Sequence, residues 1–306
     1  MIKRLTYILL AAFAVTGCGF SGGGNQGTPE GYVQYCVKML DRQALYANTP
    51  EWAETKKAIL SEDITSMDEA HDAVSRAAAT AGGKHSRLVK PVKDTVSYDE
   101  VAPEVEMLEG NVIHIALPAH TGVKVSDSLY THTVLDFLQE HLDAKGVILD
   151  LRGNNGGNMY PMIAALSPII PDGIIIRFKN RKRTSPITLD FVMQNAGLSS
   201  ESVKKFPSTL PIAILTDEGT GSSAEATLLC FRGLDNARSF GAPTAGYASA
   251  NIVLPLADGY TLLITTGRDL ARTGEVFCDD PIAPDVLSEN PLPAALSWIA
   301  SRSQHK

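Results

Sequence analysis

Two periodicities divide the chain. Across residues 31–81 the apolar positions recur at helical spacing, with Val33, Cys36, Val37, Leu40 and Ala44 falling on one face. Thr49-Pro50-Glu51 puts a capping hydroxyl ahead of a proline at the first helical position. Ser66-Met67-Asp68-Glu69 is a capping box, and Gly82-Gly83 closes the helix it opens. These signals predict a small helical lobe packed against the rest of the chain. From Val89 onward, short apolar runs alternate with amphipathic segments. Residues 105–108 and 112–117 flank Glu109-Gly110 as a hairpin, and residues 126–142 are amphipathic. Residues 146–151, 174–178 and 212–215 are nearly all apolar, as strands buried on both faces are. Ala257-Asp258-Gly259-Tyr260 predicts a second hairpin before residues 262–265. Strands alternating with helices define an α/β core.

The start of the chain has a different character. Lys3 and Arg4 precede an apolar run over residues 5–15, followed by Val15-Thr16-Gly17-Cys18. A charged start, a short apolar stretch and small residues read as a secretory signal over residues 1–17. The aliphatic-x-Gly-Cys order reads as a lipobox, with Cys18 as the lipidated first residue of the mature chain. The glycine-rich residues 18–30 suit a flexible tether. The expected order is then a helical lobe over 31–88, a core over 89–290 and a tail helix over 291–306. The expected location is the bacterial cell envelope, on the periplasmic or extracellular face, with a lipid anchor as the membrane contact.

The formal charge is −7, with no basic cluster beyond residues 179–183, which excludes nucleic acid as a partner. After Cys18 come Cys36, Cys230 and Cys278, no two at metal-ligand spacing, so neither a metal nor another cofactor is expected. In an oxidising compartment one disulfide and one buried thiol fit, with Cys230–Cys278 the expected pair and three free thiols the alternative.

Candidate chemistry lies in two stretches of the same build. Residues 146–151 feed a glycine-rich turn, Arg152-Gly153-Asn154-Asn155-Gly156-Gly157, and then a helix. Residues 212–215 feed Gly219-Thr220-Gly221 and then Ser222-Ser223 at the start of another helix. Such turns expose backbone N–H groups that bind a phosphate or an oxyanion. Neither spacing is that of a nucleotide loop. A serine at a helix start is a cap or a nucleophile, and two such elements in one sheet favour the nucleophile.

Asp150-Leu151-Arg152-Gly153-Asn154-Asn155-Gly156-Gly157, Thr220-Gly221-Ser222-Ser223-Ala224-Glu225, Gly241-Ala242-Pro243-Thr244-Ala245-Gly246 and Pro281-Ile282-Ala283-Pro284-Asp285 occur in that order. Together they resemble the tail-specific, or C-terminal processing, serine peptidases and their tricorn-like relatives. The resemblance spans roughly residues 85 to 287 and lacks the PDZ domain of many members. It implies a core related to the ClpP and crotonase folds and a peptide or protein substrate. It selects Ser222, three residues before Glu225, as nucleophile. The Ser223 N–H and one from Gly156 or Gly157, with Gly156 preferred, would form the oxyanion hole. Tyr247 stands where lysine-using members carry their base, and a neutral phenol is a poor base. His85, in Gly83-Lys84-His85-Ser86, resembles the histidine turn of the tricorn-like branch and is the expected base. His120 is second among the seven histidines. Asp279 is the expected acid orienting His85, with Asp280, Glu275 and Ser86 as alternatives. The missing lysine leaves a non-catalytic peptide-binding lipoprotein as the second function. An esterase acting on small acyl substrates is the third.

Overall fold

The computed structural model describes residues 26–91, 100–123 and 125–303. The expected signal and Cys18 lie outside them. Three helices come first: α1 (Pro29–Gln43), α2 (Pro50–Leu60) and α3 (Met67–Gly82). Each starts on a side-chain cap. Thr28 and Thr49 accept from the N–H groups of Gly31 and Trp52 at 3.2 Å, and Ser66 and Glu69 close a reciprocal box. Helix α1 therefore begins at Pro29, inside the stretch expected to be tether, because Thr28 caps it.

The chain then passes through β1 (Arg87–Val89), β2 (Glu104–Leu108), β3 (Val112–Ala116), α4 (Asp127–Glu140), β4 (Gly146–Asp150) and α5 (Met159–Ala165). Next come β5 (Ile174–Asn180), β6 (Thr184–Thr188), α6 (Leu189–Asn195), β7 (Ile212–Thr216), α7 (Ser223–Leu229) and β8 (Ala237–Gly241). The last elements are β9 (Ser249–Pro255), β10 (Thr261–Leu270), β11 (Val276–Phe277), β12 (Val286–Leu287) and α8 (Pro291–Ser303).

Two six-stranded sheets result. One runs β12-β8-β7-β4-β3-β2, parallel except for the β2–β3 hairpin. Its strands bury alternate residues on opposite faces. Ile113, Ile115, Val147, Leu149, Ile212 and Ile214 enter the main core with α4, α5 and α6. Val112, Ile148, Ala213 and Leu215 face the other way, against Ala295 and Ile299 of α8. That double burial is why these strands read as continuous apolar runs.

The second sheet is antiparallel and centred on β10, which pairs with β1, β5, β9 and β11. The three N-terminal helices bury Tyr32, Leu40, Trp52 and Val74 with Leu262 and Ile264 of β10. Residues 174–178, read as another strand of the α/β core, belong to this second sheet instead, paired with β6 and β10. A short apolar run carries no information about its partner strands.

All three described cysteines are free, so the Cys230–Cys278 disulfide is not formed. The Cys230 thiol donates to Ala226 O at the end of α7, whereas Cys278 faces Tyr46 Oη at 3.8 Å. Burial pushes the Cys230 thiol up to about 12 and the Cys278 thiol up to about 11.

Candidate active site

Strands β4 and β7 are adjacent and parallel, so the two glycine turns leave the sheet side by side. They are stitched together by Gly221 N–H donating to Asn154 O and Thr220 Oγ1 donating to Leu151 O, both at 2.9 Å. At the base of the first turn, burial works against ionisation of Asp150. Hydrogen bonds from Arg152, with His114 Nε2 3.6 Å away, nevertheless bring it down to about 2. Contact between the turns is close: a Cβ on Gly156 would lie 2.7 Å from Ser222 Cβ and 3.0 Å from Ser223 N. Glycine is required there both by that approach and by its φ of 108°.

Ser222 immediately precedes α7 with φ 55° and ψ −116°, a combination non-glycine residues rarely hold. It is buried, and its side chain faces the Glu225 N–H as one half of the capping box that opens α7. The neighbouring hydroxyl is engaged: Ser223 Oγ donates to Gly157 O at 2.6 Å. The Ser223 N–H sits at the first position of α7, without an acceptor among the described residues, where backbone N–H groups point outward.

What holds Ser222 in its strained conformation is Glu225. Its fully buried carboxylate accepts from Ser222 N–H at 2.8 Å and Tyr247 N–H at 2.7 Å on Oε2. On Oε1 it accepts from Gly246 N–H at 2.9 Å and from the Thr244 hydroxyl. Burial raises this carboxyl above its ordinary value against the opposing effect of those donors. The Gly241–Gly246 segment is thereby tied to the nucleophile candidate.

Beyond it, Tyr247 packs edge-on against His85, with ring centroids 5.1 Å apart. His85 lies between α3 and β1 and is 1% exposed. Its Nδ1 is 2.9 Å from Ser249 Oγ and 3.0 Å from the Asn251 side-chain nitrogen. The Asn251 Oδ1 is buried without a partner among the described residues. Turning this amide half-way round would put Oδ1 on Nδ1, where it accepts from an Nδ1–H, at the cost of the 3.2 Å bond its nitrogen donates to Ser249 O. Burial first, then the positive charges of Arg87 and Lys84, push the His85 imidazole down to about 3. No hydrogen bond joins His85 to Ser222 Oγ among the described residues.

The other expected participants are placed elsewhere. Asp279 accepts from Tyr46 Oη at 3.2 Å and makes no hydrogen bond to His85, so Ser249 and Asn251 occupy the position expected of the acid. Ser86 Oγ accepts from Thr265 N–H at 2.8 Å and Glu275 pairs with Arg232, so neither serves His85. His120 is fully buried between Glu100 and Asp127. Gly156 N–H donates to Asn154 Oδ1 at 2.9 Å, whereas Gly157 N–H has no acceptor among the described residues. Lys84, beside the position that Tyr247 takes from lysine, puts its ammonium 4.2 Å from the Tyr247 ring centre. It donates to Ala245 O and Gly246 O. Ser249 and Asn251 went unread in the sequence, although a polar pair two apart after Tyr247 places both on one face of a strand.

A strained serine at a helix start and an adjacent glycine turn are thus joined through Glu225 to the Tyr247 backbone, whose ring packs on the buried His85 imidazole. Residues 117–288 match the model of Peptidase family S41, and the chain belongs to that family. It is 35% identical over 282 residues to a nisin-resistance protein of Lactococcus lactis subsp. lactis, covering 90% of this chain and 88% of that one. With the carboxy-terminal processing protease CtpA of Bacillus subtilis it shares 26% identity over 220 residues, 70% of this chain but only 42% of the relative's length. Among solved structures, a lipoprotein from Streptococcus agalactiae superposes with a TM-score of 0.80 at 33% identity, over 90% of this chain and 97% of that one. The photosystem II D1 C-terminal processing protease shares the fold at a TM-score of 0.61 and 12% identity, over 85% and 93% of the two chains.

Proposed function

We propose that this chain is an exported serine peptidase that cleaves peptide bonds through an acyl-enzyme on Ser222, with His85 as general base. The observation that carries this reading is the joint at Glu225. One buried carboxylate fixes the strained Ser222 backbone and the Tyr247 backbone whose ring packs on His85. Ser222 Oγ attacks the scissile carbonyl carbon while His85 Nε2 takes the hydroxyl proton and passes it to the leaving amine. Water then repeats the sequence to release the acyl group. The oxyanion is held by Ser223 N–H and by a glycine-turn N–H. Gly156 can donate once its N–H leaves Asn154 Oδ1, and Gly157 is the neighbouring donor. The open Ser222–His85 geometry fits a free enzyme whose catalytic hydrogen bond tightens on binding substrate.

Family membership makes the substrate a peptide or protein. The nisin-resistance relative makes the peptide nisin the first substrate to test. Likeness to a solved lipoprotein supports an anchor at Cys18. Incubating the purified protein with nisin and reading fragment masses tests the assignment. New fragments from the wild type but not from Ser222→Ala support it; intact nisin and an intact peptide panel with both proteins oppose it.

In place of an acid, Ser249 and Asn251 hold the His85 ring. Ser249→Ala is expected to lower kcat about tenfold to 100-fold with KM nearly unchanged, since the ring loses a fixed acceptor for its Nδ1–H. Steady-state kinetics check this.

The low His85 value sets two pH dependences. The imidazole stays neutral in the folded chain down to about pH 3, whereas the unfolded chain's histidine takes a proton near 6.5. The associated stability is complete above about pH 6.5 and is lost as pH falls from there towards 3. For the same reason the acid limb of kcat/KM is expected below about pH 5 rather than near 6.5, as a pH–rate profile on free enzyme will show.

A second reading, a non-catalytic peptide-binding protein, draws on one specific observation: an imidazole of such low basicity makes no hydrogen bond to the serine hydroxyl. Peptide affinity without turnover would select it.

A further inference from the structure

The glycine turn beside Ser222 does not stand alone. Its outer side is fastened to the segment around His120, which takes no part in the proton transfer. His120 N–H donates to Gly156 O at 3.1 Å, and His120 O accepts from Asn158 N–H at 2.7 Å, forming a one-residue parallel bridge with Gly157. The approach is so close that a Cβ on Gly157, whose φ is 120°, would fall 1.8 Å from His120 O. The backbone of one residue thus brackets both glycines that offer the second oxyanion donor.

The His120 side chain is what holds that backbone. Its ring is completely buried, 4.2 Å from the Tyr130 ring, and it lies between two carboxylates. Nε2 is 2.7 Å from Asp127 Oδ1, and Nδ1 is 3.2 Å from Glu100 Oε1. Each carboxylate is tied down in turn. Glu100 accepts from the N–H groups of Thr121, Gly122 and Val125, and so caps the turn that carries His120. Asp127 lies in the first turn of α4 and accepts on Oδ2 from the Asn158 side chain at 3.2 Å. Asn158 is the residue whose N–H already binds His120 O. Tyr130 Oη donates to Pro118 O at 2.6 Å and fixes the approach from β3.

We infer that His120, with Asp127 and Glu100, is a positioning residue for the oxyanion turn, clamping Gly156 and Gly157 at the height of the Ser223 N–H. This rests on the peptidase reading for its consequence but not for its geometry. The hydrogen bond between the buried ring and Asp127 ties the turn to α4, and removing Asp127 leaves the buried Nε2 without its 2.7 Å partner. A donor displaced by a fraction of an ångström loses most of its effect on a developing oxyanion.

The test uses hydrogen–deuterium exchange and kinetics on the full chain. In His120→Ala the backbone over residues 153–158 is expected to exchange at least about tenfold faster while residues 31–80 keep the wild-type rate. The kcat for peptide cleavage is expected to fall about 10²-fold with KM within about twofold. Asp127→Asn, at a side chain 53% exposed, provides a milder variant should alanine at 120 prevent folding. It is expected to move the same exchange segment and kcat in the same direction. His132→Ala, on the exposed side of α4, should change neither readout. Unaltered exchange over 153–158, or a rise shared equally by the whole chain, overturns the inference. The exchange readout needs no activity, so a wild type that cleaves nothing refutes the peptidase reading and leaves this inference to be decided separately.

Discussion

Replacing Ser222 by alanine is expected to lower kcat for peptide hydrolysis by at least about 10³-fold, with peptide affinity retained. The side chain is small and buried, and its removal costs at most its capping contact with the Glu225 N–H, about 1 kcal/mol. The fold is therefore expected to keep its melting temperature within a few degrees, and the loss is a loss of chemistry. Ser223→Ala behaves differently. Its hydroxyl donates to Gly157 O, so alanine removes one buried hydrogen bond, about 1 kcal/mol, while its backbone N–H remains in place. A reduction in kcat of about tenfold or less is expected there. Parallel kinetics on the two variants, with melting curves, separate chemistry from structure.

Glu225→Ala is expected to be the most destabilising single change at the site. Removing the carboxylate leaves three buried N–H groups and the Thr244 hydroxyl without an acceptor. At about 1–3 kcal/mol for each unsatisfied group, partly relieved by water, the cost is on the order of 3–5 kcal/mol. That corresponds to a fall in Tm of about 10 °C for a chain of this size. Glutamine does not rescue, although it is isosteric. Either placement of the amide nitrogen confronts a fixed backbone N–H, that of Gly246 on one side or those of Ser222 and Tyr247 on the other. Activity is expected to fall with stability in both variants, because the strained φ of Ser222 has no other support on its own N–H. Calorimetry on Glu225→Ala and Glu225→Gln, beside wild type, decides it. A Tm within about 2 °C for glutamine would remove Glu225 as the organising group.

The parallel sheet was legible because its strands bury both faces and so cannot alternate. Ile148 and Leu149 are both fully buried, one towards α8 and the other towards the main core. The capped starts of α2 and α3 were legible for a local reason, a hydroxyl three residues ahead of the N–H it accepts, whereas the same cap at Thr28 was read as tether. The second sheet was not legible as a sheet. Its register depends on β10 meeting β5 from about ninety residues earlier, and residues 174–178 look the same in either company. At the candidate site, the serine turn and the glycine turn carried backbone signatures that sequence displays: glycines where φ is positive or an approach is close. The surroundings of His85 carried only the spacing of Ser249 and Asn251, which puts both on one strand face without saying what that face meets. Asp279 looked suitable by charge and by its place along the chain, yet Tyr46, from the helical lobe, takes its carboxylate. Ser249 and Asn251 reach the imidazole only because β9 turns back along β10. Local spacing can put two side chains on one face, but tertiary pairing decides what they meet.

Whether Ser222 is a nucleophile activated by His85 is decided by labelling with a fluorophosphonate probe, read by intact mass and by peptide mapping. One adduct is expected, mapped to Ser222, absent from Ser222→Ala, retained in Ser223→Ala and strongly slowed in His85→Ala. An unlabelled wild type, or equal labelling of the two serine variants, would refute the assignment.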